Sequence, residues 1–428
     1  MIALTTAQII SIVIFLIVMI LIISEKVHRT TAALAGAVAL ILAGIISFDT
    51  GVSHIDFGTL GVLVGMMIFV AVVKNSGIFE YLAIRAAKIA KGNPWMIMVL
   101  FCLITAVLSA FLDNVTTVLL IGPVTFTVCK MLEISPVPFF IVEIIASNVG
   151  GTATLIGDPP NIMIGSATGL TFFDFLMYDG PAVLLILIAA MICFYFIYGR
   201  KMGVVEDKQA SIMTLHAHEA IKSKSLFTKS VVMTVITAVA FVLHGAVHIE
   251  PSVVALAAAA IMLILSRAEV EEVLLDVEWS TIGFFAGLFV VVGGLAETGV
   301  IEMLANALID ATGGDLFLTI MIMVWASAII SSFLDNIPMV ATLIPIIMAI
   351  GNTGVDVMPY WWAISLGACI GGIGTLIGAS ANVVLSGMSK TYGYPITFME
   401  YTKVAFPMML VFTAISCVYL VLRFCVFV

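Results

Sequence analysis

The chain of 428 residues is 62% hydrophobic and only 10% charged, with a formal net charge of −9 and a mean hydropathy of +1.25. These values lie far outside the range of soluble globular domains, and the scattered basic residues form no patch that a nucleic acid would recognise. What remains is a polytopic membrane protein, all-α because backbone groups in lipid must be satisfied within each segment.

In chain order, apolar runs near bilayer-spanning length appear at about 7–24, 30–47, 57–73, 95–111, 115–129, 136–152 and 181–198, and a matching series fills 230–427. The first run lacks a basic leader and an A-x-A site and is followed at once by "EKVHR", which predicts a transmembrane helix and no cleaved signal. The cysteines Cys102, Cys129, Cys193, Cys369, Cys417 and Cys425 are scattered through apolar segments without C-x-x-C spacing. They read as small hydrophobes and argue against disulfides or a soft-metal cluster.

The two series are copies. At an offset of 222, Asp56, Thr59, Gly61, Gly65, Gly77 and Glu80 meet Glu278, Thr281, Gly283, Gly287, Gly299 and Glu302. At 221, "GGTATLIGDPPN" (150–161) meets "GGIGTLIGASAN" (371–382). Such self-similarity marks an internal repeat. Lys and Arg stay in cytoplasmic loops, and their distribution reverses between the halves. Lys74, Arg85, Lys88 and Lys91 sit in 74–93 while the matching 296–315 has none; 166–182 has none while its counterpart region holds Lys390 and Lys403. Inverted topology puts every basic residue but Arg423 on one side. The expected plan is about ten transmembrane helices with two re-entrant hairpins and two broken helices. A first repeat spans 1–199 (scaffold helices 1–73, transport part about 95–198) and a second spans 230–428 (scaffold 230–296, transport part about 316–428). The linker 200–229 is read as cytoplasmic, both termini as outside, and the membrane as the cell (inner) membrane. Inverted repeats of this kind build secondary transporters, whose sites lie where the halves meet. His216 and His218 in the linker read as solvated residues rather than a metal or pH site.

Four polar features sit at membrane depth. In "SAFLDNVTTVLLIGP" and "SSFLDNIPMVATLIP", Asp113, Asn114, Thr116 and Thr117 are matched by Asp335 and Asn336. An acid there is paired, hydrated or functional, and Pro123 and Pro345, ten residues on, suggest a hairpin whose tip is broken backbone. The alternative is that each Asp caps the second hairpin helix; capping and substrate contact are compatible. In "SNVGGTATLIGDPPNIMIG", glycines and Pro159–Pro160 predict unwinding around 153–161 and a restart near Ile162. Such a break exposes carbonyls to a cation and a helix N-terminus to a polar group. Asn148, Thr152, Thr154, Asp158 and Asn161 belong to it, with Thr375 and Asn382 in its copy. A helix-packing face explains the glycines alone. Glu143, whose counterpart is Ile364, suits a proton carrier or a structural hydrogen bond. Finally, no Lys or Arg is expected in the core, so the site should favour a cation, a proton or a neutral hydroxylated solute over a dicarboxylate.

On these motifs the sequence resembles the ArsB/NhaD branch of the ion transporter superfamily: arsenite efflux pumps, sodium/proton antiporters and, most of all, P-protein-like permeases. The resemblance covers nearly the whole chain. It implies scaffold and transport parts, elevator-like alternating access, often a homodimer and, as in some arsenite pumps, an ATPase subunit. Related symporters place Ser-Asn-Thr at their hairpin tips, where this chain has Asp113-Asn114-Val115-Thr116 and Asp335-Asn336-Ile337-Pro338. The second half also carries Ala368–Cys369 for Ser147–Asn148 and Ala379 for Asp158.

The leading expectation is a secondary active transporter, not an enzyme, of a small inorganic solute: proton-coupled arsenite or antimonite efflux first, sodium/proton antiport second. Asn114, Asn336, Thr154 and Thr375 would hydrogen-bond arsenous acid, with Asp113, Glu143 or Asp335 exchanging protons. No cofactor is expected beyond the coupling H+ or Na+, the latter at Asn114 and Asn336. Sodium-coupled dicarboxylate transport and a passive channel rank behind. An intramembrane aspartic protease ranks last, because Asp113 and Asp335 both sit in Phe-Leu-Asp-Asn and 154–158 reads "TLIGD", where such a protease needs Tyr-Asp and Gly-x-Gly-Asp.

Overall fold

The computed structural model describes residues 4–24, 26–203, 212–213 and 216–426, among which there are twenty α-helices and no strand. The first half comprises α1 (Thr6–Ser24), α2 (Arg29–Leu42), α3 (Phe48–Ser53), α4 (Phe57–Lys74), α5 (Ile78–Ile89), α6 (Pro94–Ser109), α7 (Asn114–Leu132), α8 (Val137–Thr152), α9 (Pro159–Thr168) and α10 (Phe172–Ile197). The second comprises α11 (Lys224–Leu243), α12 (Pro251–Ser266), α13 (Val270–Leu275), α14 (Trp279–Glu297), α15 (Val300–Thr312), α16 (Leu316–Ser331), α17 (Asn336–Gly351), α18 (Met358–Gly371), α19 (Ser380–Thr391) and α20 (Phe398–Val421). Each helix thus has a counterpart ten numbers on. Seven of the described helices are long and apolar enough to cross a membrane.

The halves meet through α2, α4, α12 and α14, where α4 lies along α12 and α14 along α2. Glycine permits the close approach. A methyl built on Gly65 would fall 2.6 Å from the carbonyl carbon of Ala255, and one on Gly287 would fall 2.8 Å from that of Ala33. Gly287 is Gly65 plus 222, and Ala33 is Ala255 minus 222. A contact that recurs with its partners exchanged defines a two-fold relation, which the offset alone does not establish. The left-handed residues Gly77 (φ 81°) and Gly299 (φ 77°) start α5 and α15 in the same way.

Each half then folds a hairpin, α6–α7 or α16–α17, against a helix broken in two, α8–α9 or α18–α19. Again glycine sets the spacing: Cβ atoms at Gly150 and Gly371 would fall 2.1 Å and 2.5 Å from the carbonyl oxygens of Ala106 and Ala328. The hairpins turn at 110–113 and 332–335. Pro123 and Pro345 do not break them, because the helices continue through both residues. The first broken helix restarts at Pro159, three residues before the predicted Ile162, since proline at the first helical position has its φ preset and loses no hydrogen bond. The run expected at 181–198 begins at Phe172, where Thr171 and Asp174 form a reciprocal cap, and it passes through Pro181.

The six cysteines are unpaired, and the described residues contain no group of three metal-ligating side chains. Within the linker, 204–211 and 214–215 fall outside the described residues. His216 and His218 are exposed, and the His218 ring lies 5.7 Å from that of Tyr81.

Candidate functional site

Two sets of paired hydrogen bonds hold the breaks open. Asn161 Nδ2 donates to the carbonyls of Thr152 (3.1 Å) and Thr154 (3.0 Å), and its counterpart Asn382 donates to those of Gly372 (2.8 Å) and Thr375 (2.9 Å). The carbonyls freed by unwinding are therefore satisfied by an amide seven to ten residues on, which is what keeps broken backbone tolerable at this depth. The hydroxyls of Thr154 and Thr375 donate to the carbonyls of Ala110 and Ser332 and so pin each break to its hairpin tip. Ser109 and Ser331 repeat the theme, donating to the carbonyls of Ser147 (2.6 Å) and Ala368 (2.7 Å). Thr152 Oγ1 donates to the Asn148 carbonyl (2.8 Å) and Thr116 Oγ1 to Asp113 (2.5 Å). All four candidate threonines thus hold the framework, a different occupation from the cargo contacts expected of Thr154 and Thr375.

The tips converge on one acid. Asn336 Nδ2 donates to both oxygens of Asp158 (3.1 and 3.2 Å), and Asn114 Nδ2 reaches Asp158 Oδ1 (3.4 Å) and Asn148 Oδ1 (3.3 Å). Asn148 Nδ2 continues across the two-fold to Asn382 Oδ1 (2.9 Å) and also donates to the Ile144 carbonyl (2.8 Å). Asp158, Asn148, Asn161 and Asn382 are wholly buried. The counterpart of Asp158 is Ala379, so a framework built twice carries its acid once. Asp113 and Asp335 cap α7 and α17 through Thr116 N (2.8 Å) and Ile337 N (3.1 Å), as the capping alternative required.

Contrary to expectation, a partly exposed base reaches the site. Arg29, the first residue of α2, pairs with Asp335 Oδ2 at 3.2 Å, donates to Thr281 Oγ1 (3.1 Å) and to Ser380 Oγ, and lies 5.2 Å from the centre of the Phe284 ring. Charge counting assigned Arg29 to a loop because it ends the "EKVHR" run; the guanidinium instead reaches inward from the helix start to a hairpin tip of the other half. Arg29, Glu278 and Thr281 line, together with Asp113, Asn114, Asp158, Asn336 and Ser380, a cavity of about 20 Å³, room for about one water-sized species. On the other side of the Arg29, Asp335 and Ser380 cluster lies a cleft of about 280 Å³ that also involves Val27, His28 and Phe333. Arg29→Ala is expected to cost about 2 kcal/mol in thermal denaturation. Arg29→Lys should recover little of it, since one ammonium cannot span three oxygens on three helices.

Glu143 stands apart, buried and accepting from Thr125 on α7. Sequence reasoning missed Arg29, Glu278, Thr281, Ser365, Ser380 and Asp179. For Asp179 the signal was an acid eight residues into an apolar helix, in a segment inspected only for basic residues.

A membrane-embedded framework of two related halves, with broken helices and hairpin tips meeting at a buried polar cluster, defines a polytopic membrane transporter. A family model described as a citrate transporter, CitMHS, matches residues 19–367, and the chain belongs to that family. It is 43% identical over 426 residues to a Mycobacterium tuberculosis protein named an uncharacterized transporter, covering 97% of this chain and 99% of that one. The human P protein is 34% identical over 485 residues, covering 94% of this chain and 58% of the human one. Among solved structures, the Alcanivorax borkumensis YdaH transporter superposes with a TM-score of 0.62 at 14% identity, covering 97% of this chain and 98% of that one. Neisseria gonorrhoeae MtrF, described as one of a class of antimetabolite efflux pumps, gives 0.61 at 11%, covering 99% and 96%. At these identities the structures speak to the fold.

Proposed function

We propose that the chain is a secondary active transporter of a small inorganic solute, coupled to protons and working by elevator-like alternating access, with arsenite or antimonite efflux as the first activity to test. The ArsB/NhaD-type permeases are the chemical reference. The observation that carries this reading is the convergence of both hairpin tips on Asp158, an acid bonded by amides and by no basic side chain among the described residues. Such a centre suits a proton, a cation or a neutral solute that offers hydroxyls; arsenous acid is mostly uncharged at neutral pH and offers them to Asn114, Asn336 and Asp158. The cleft beside Arg29 is large enough for such a solute, and the cluster of Lys26, His28 and Arg29 supports reading this end of the molecule as the cytoplasmic one.

Sodium/proton exchange is the second reading, supported by the inner cavity, whose 20 Å³ suits a single ion among amide and carboxylate oxygens. A citrate cargo, suggested by the family's description, finds in Arg29 one guanidinium already bound to Asp335, too little to offset three carboxylates.

Purified protein in liposomes, given arsenite, sodium or citrate under an imposed pH gradient, is expected to accumulate arsenite while protons move the other way. Sodium-evoked proton movement without arsenite uptake would replace the lead by the second reading, and citrate uptake alone would overturn both.

A further inference from the structure

Asp179 lies in α10, outside the cluster around Asp158, and is wholly buried. Its Oδ2 is 2.5 Å from Ser365 Oγ on α18, and its Oδ1 has no hydrogen-bond partner among the described residues. The same Ser365 Oγ is 2.7 Å from Oδ1 of Asn161, the amide that holds the first helix break open. A hydroxyl has one hydrogen and can donate to only one of these two acceptors. With Asp179 ionised, Ser365 must choose: it serves the carboxylate and abandons Asn161, or serves Asn161 and leaves a buried charge without a donor. With Asp179 protonated, every group is served in one direction, since the acid donates to Ser365 and Ser365 donates to Asn161.

The surroundings agree. Arg423 is the nearest base, but it is committed to the Met177 carbonyl (2.9 Å), to Tyr419 Oη (2.6 Å) and to the face of Tyr178, 3.9 Å from the ring centre. Tyr419 in turn donates to the Tyr178 carbonyl (2.7 Å). The thiol of Cys369 on α18 completes the titratable neighbours. Of the other helices packed on α10, α8 brings Glu143, which is engaged with Thr125, and α11 ends at His244, which accepts from Phe172 N. Neither bonds Asp179. A metal ion in place of the proton would need several more oxygens than the two here.

We propose that Asp179 is a proton-binding site of the transport cycle, and that Ser365 relays its state to Asn161 and so to the unwound segment that carries Asp158. A proton arriving past Arg423 and Tyr419 bonds to the carboxylate, giving the acid. Its departure as H+ draws the Ser365 hydroxyl from Asn161 to Asp179, which leaves the single oxygen of the amide holding the break with only the long contact from the Cys369 thiol (3.7 Å). The inference rests on the proton-coupled reading above. Arg423 is also the one basic residue the charge distribution places outside, so protons would enter opposite to the cleft where solute is taken up.

Asp179→Asn keeps a donor for Ser365 and is locked in the equivalent of the protonated form. In liposomes, D179N is expected to retain arsenite exchange between equal pools while losing accumulation driven by a pH gradient. Ser365→Ala should shift the pH midpoint of accumulation, and Ser365→Thr should restore it. Infrared spectra of wild type are expected to show a protonated-carboxyl band that is missing in D179N. Gradient-driven accumulation by D179N equal to wild type would overturn the proposal, as would an infrared band unchanged by the substitution. If wild type itself moves no arsenite, the functional reading has failed, and the infrared comparison still decides whether Asp179 binds the proton.

Discussion

Asp158→Ala is expected to abolish transport, with loss of cargo movement in both exchange and gradient-driven assays. The carboxylate is the shared acceptor for Asn336 and Asn114, each delivered by a different half of the molecule. Its removal takes away the carboxylate on which both tips converge; Asn336 is left without its acceptor, at about 1–3 kcal/mol, and Asn114 keeps only Asn148 Oδ1 (3.3 Å). Asp158→Asn separates the two effects. An amide oxygen still accepts, so thermal stability in detergent should approach wild type while transport stays absent. Full activity in D158N would show that the charge at this position has no part in the cycle, and the functional reading would have to move to Asp113, Glu143 or Asp335.

Gly150→Ala is expected to be strongly damaging. The added methyl would lie 2.1 Å from the Ala106 carbonyl oxygen and 2.5 Å from its Cα, so backbone rather than a flexible side chain would have to move. Overpacking of this kind costs about 3 kcal/mol or more, and it would separate α6 from α8 where the hairpin tip is pinned to the break. Gly371→Ala makes the same test in the second half, with the Ala328 oxygen at 2.5 Å and its Cα at 2.6 Å. Both variants should lower the melting temperature and the yield of folded protein, G150A more than G371A. By contrast, Gly387→Ala meets nothing within 4 Å and should be close to neutral.

Much of this framework was legible in the sequence because the chain states it twice. The 222-residue offset aligned Asp113–Asn114 with Asp335–Asn336 and the two glycine-rich breaks with each other, and the structure brings Asn114, Asn148, Asp158, Asn336 and Asn382 into one network. Threonine roles were not legible. Whether the hydroxyl of Thr154 or Thr375 faces a cavity or a neighbouring carbonyl depends on how the hairpin seats against the break, which spacing along the chain does not encode. Arg29 was hidden for a related reason: a residue at a helix start belongs to a loop by hydropathy and to the interior by reach, and the long guanidinium arm settles the matter through contacts 252 to 351 positions away. Pro123 and Pro345 suggest broken backbone at the hairpin tips, yet both are carried within long helices, as is Pro181. Asp179 escaped because it has no counterpart of its own kind, and a repeat directs attention to what recurs.

The pairing of Arg29 with Asp335 has an energetic consequence for the resting molecule. The position equivalent to Arg29 in the second half is Pro251, which has no side-chain donor. On the elevator-like reading proposed above, a mobile part moving between the two ends of this scaffold would work across a tilted landscape, with an ion pair at one terminus of the stroke and none at the other. On that reading a tilt of about 2 kcal/mol would hold an empty carrier at the Arg29 end in roughly thirty of every thirty-one molecules. Cargo or proton would then have to supply at least that difference to complete a turnover, and the pair would set both where the molecule waits and how much work its first step requires.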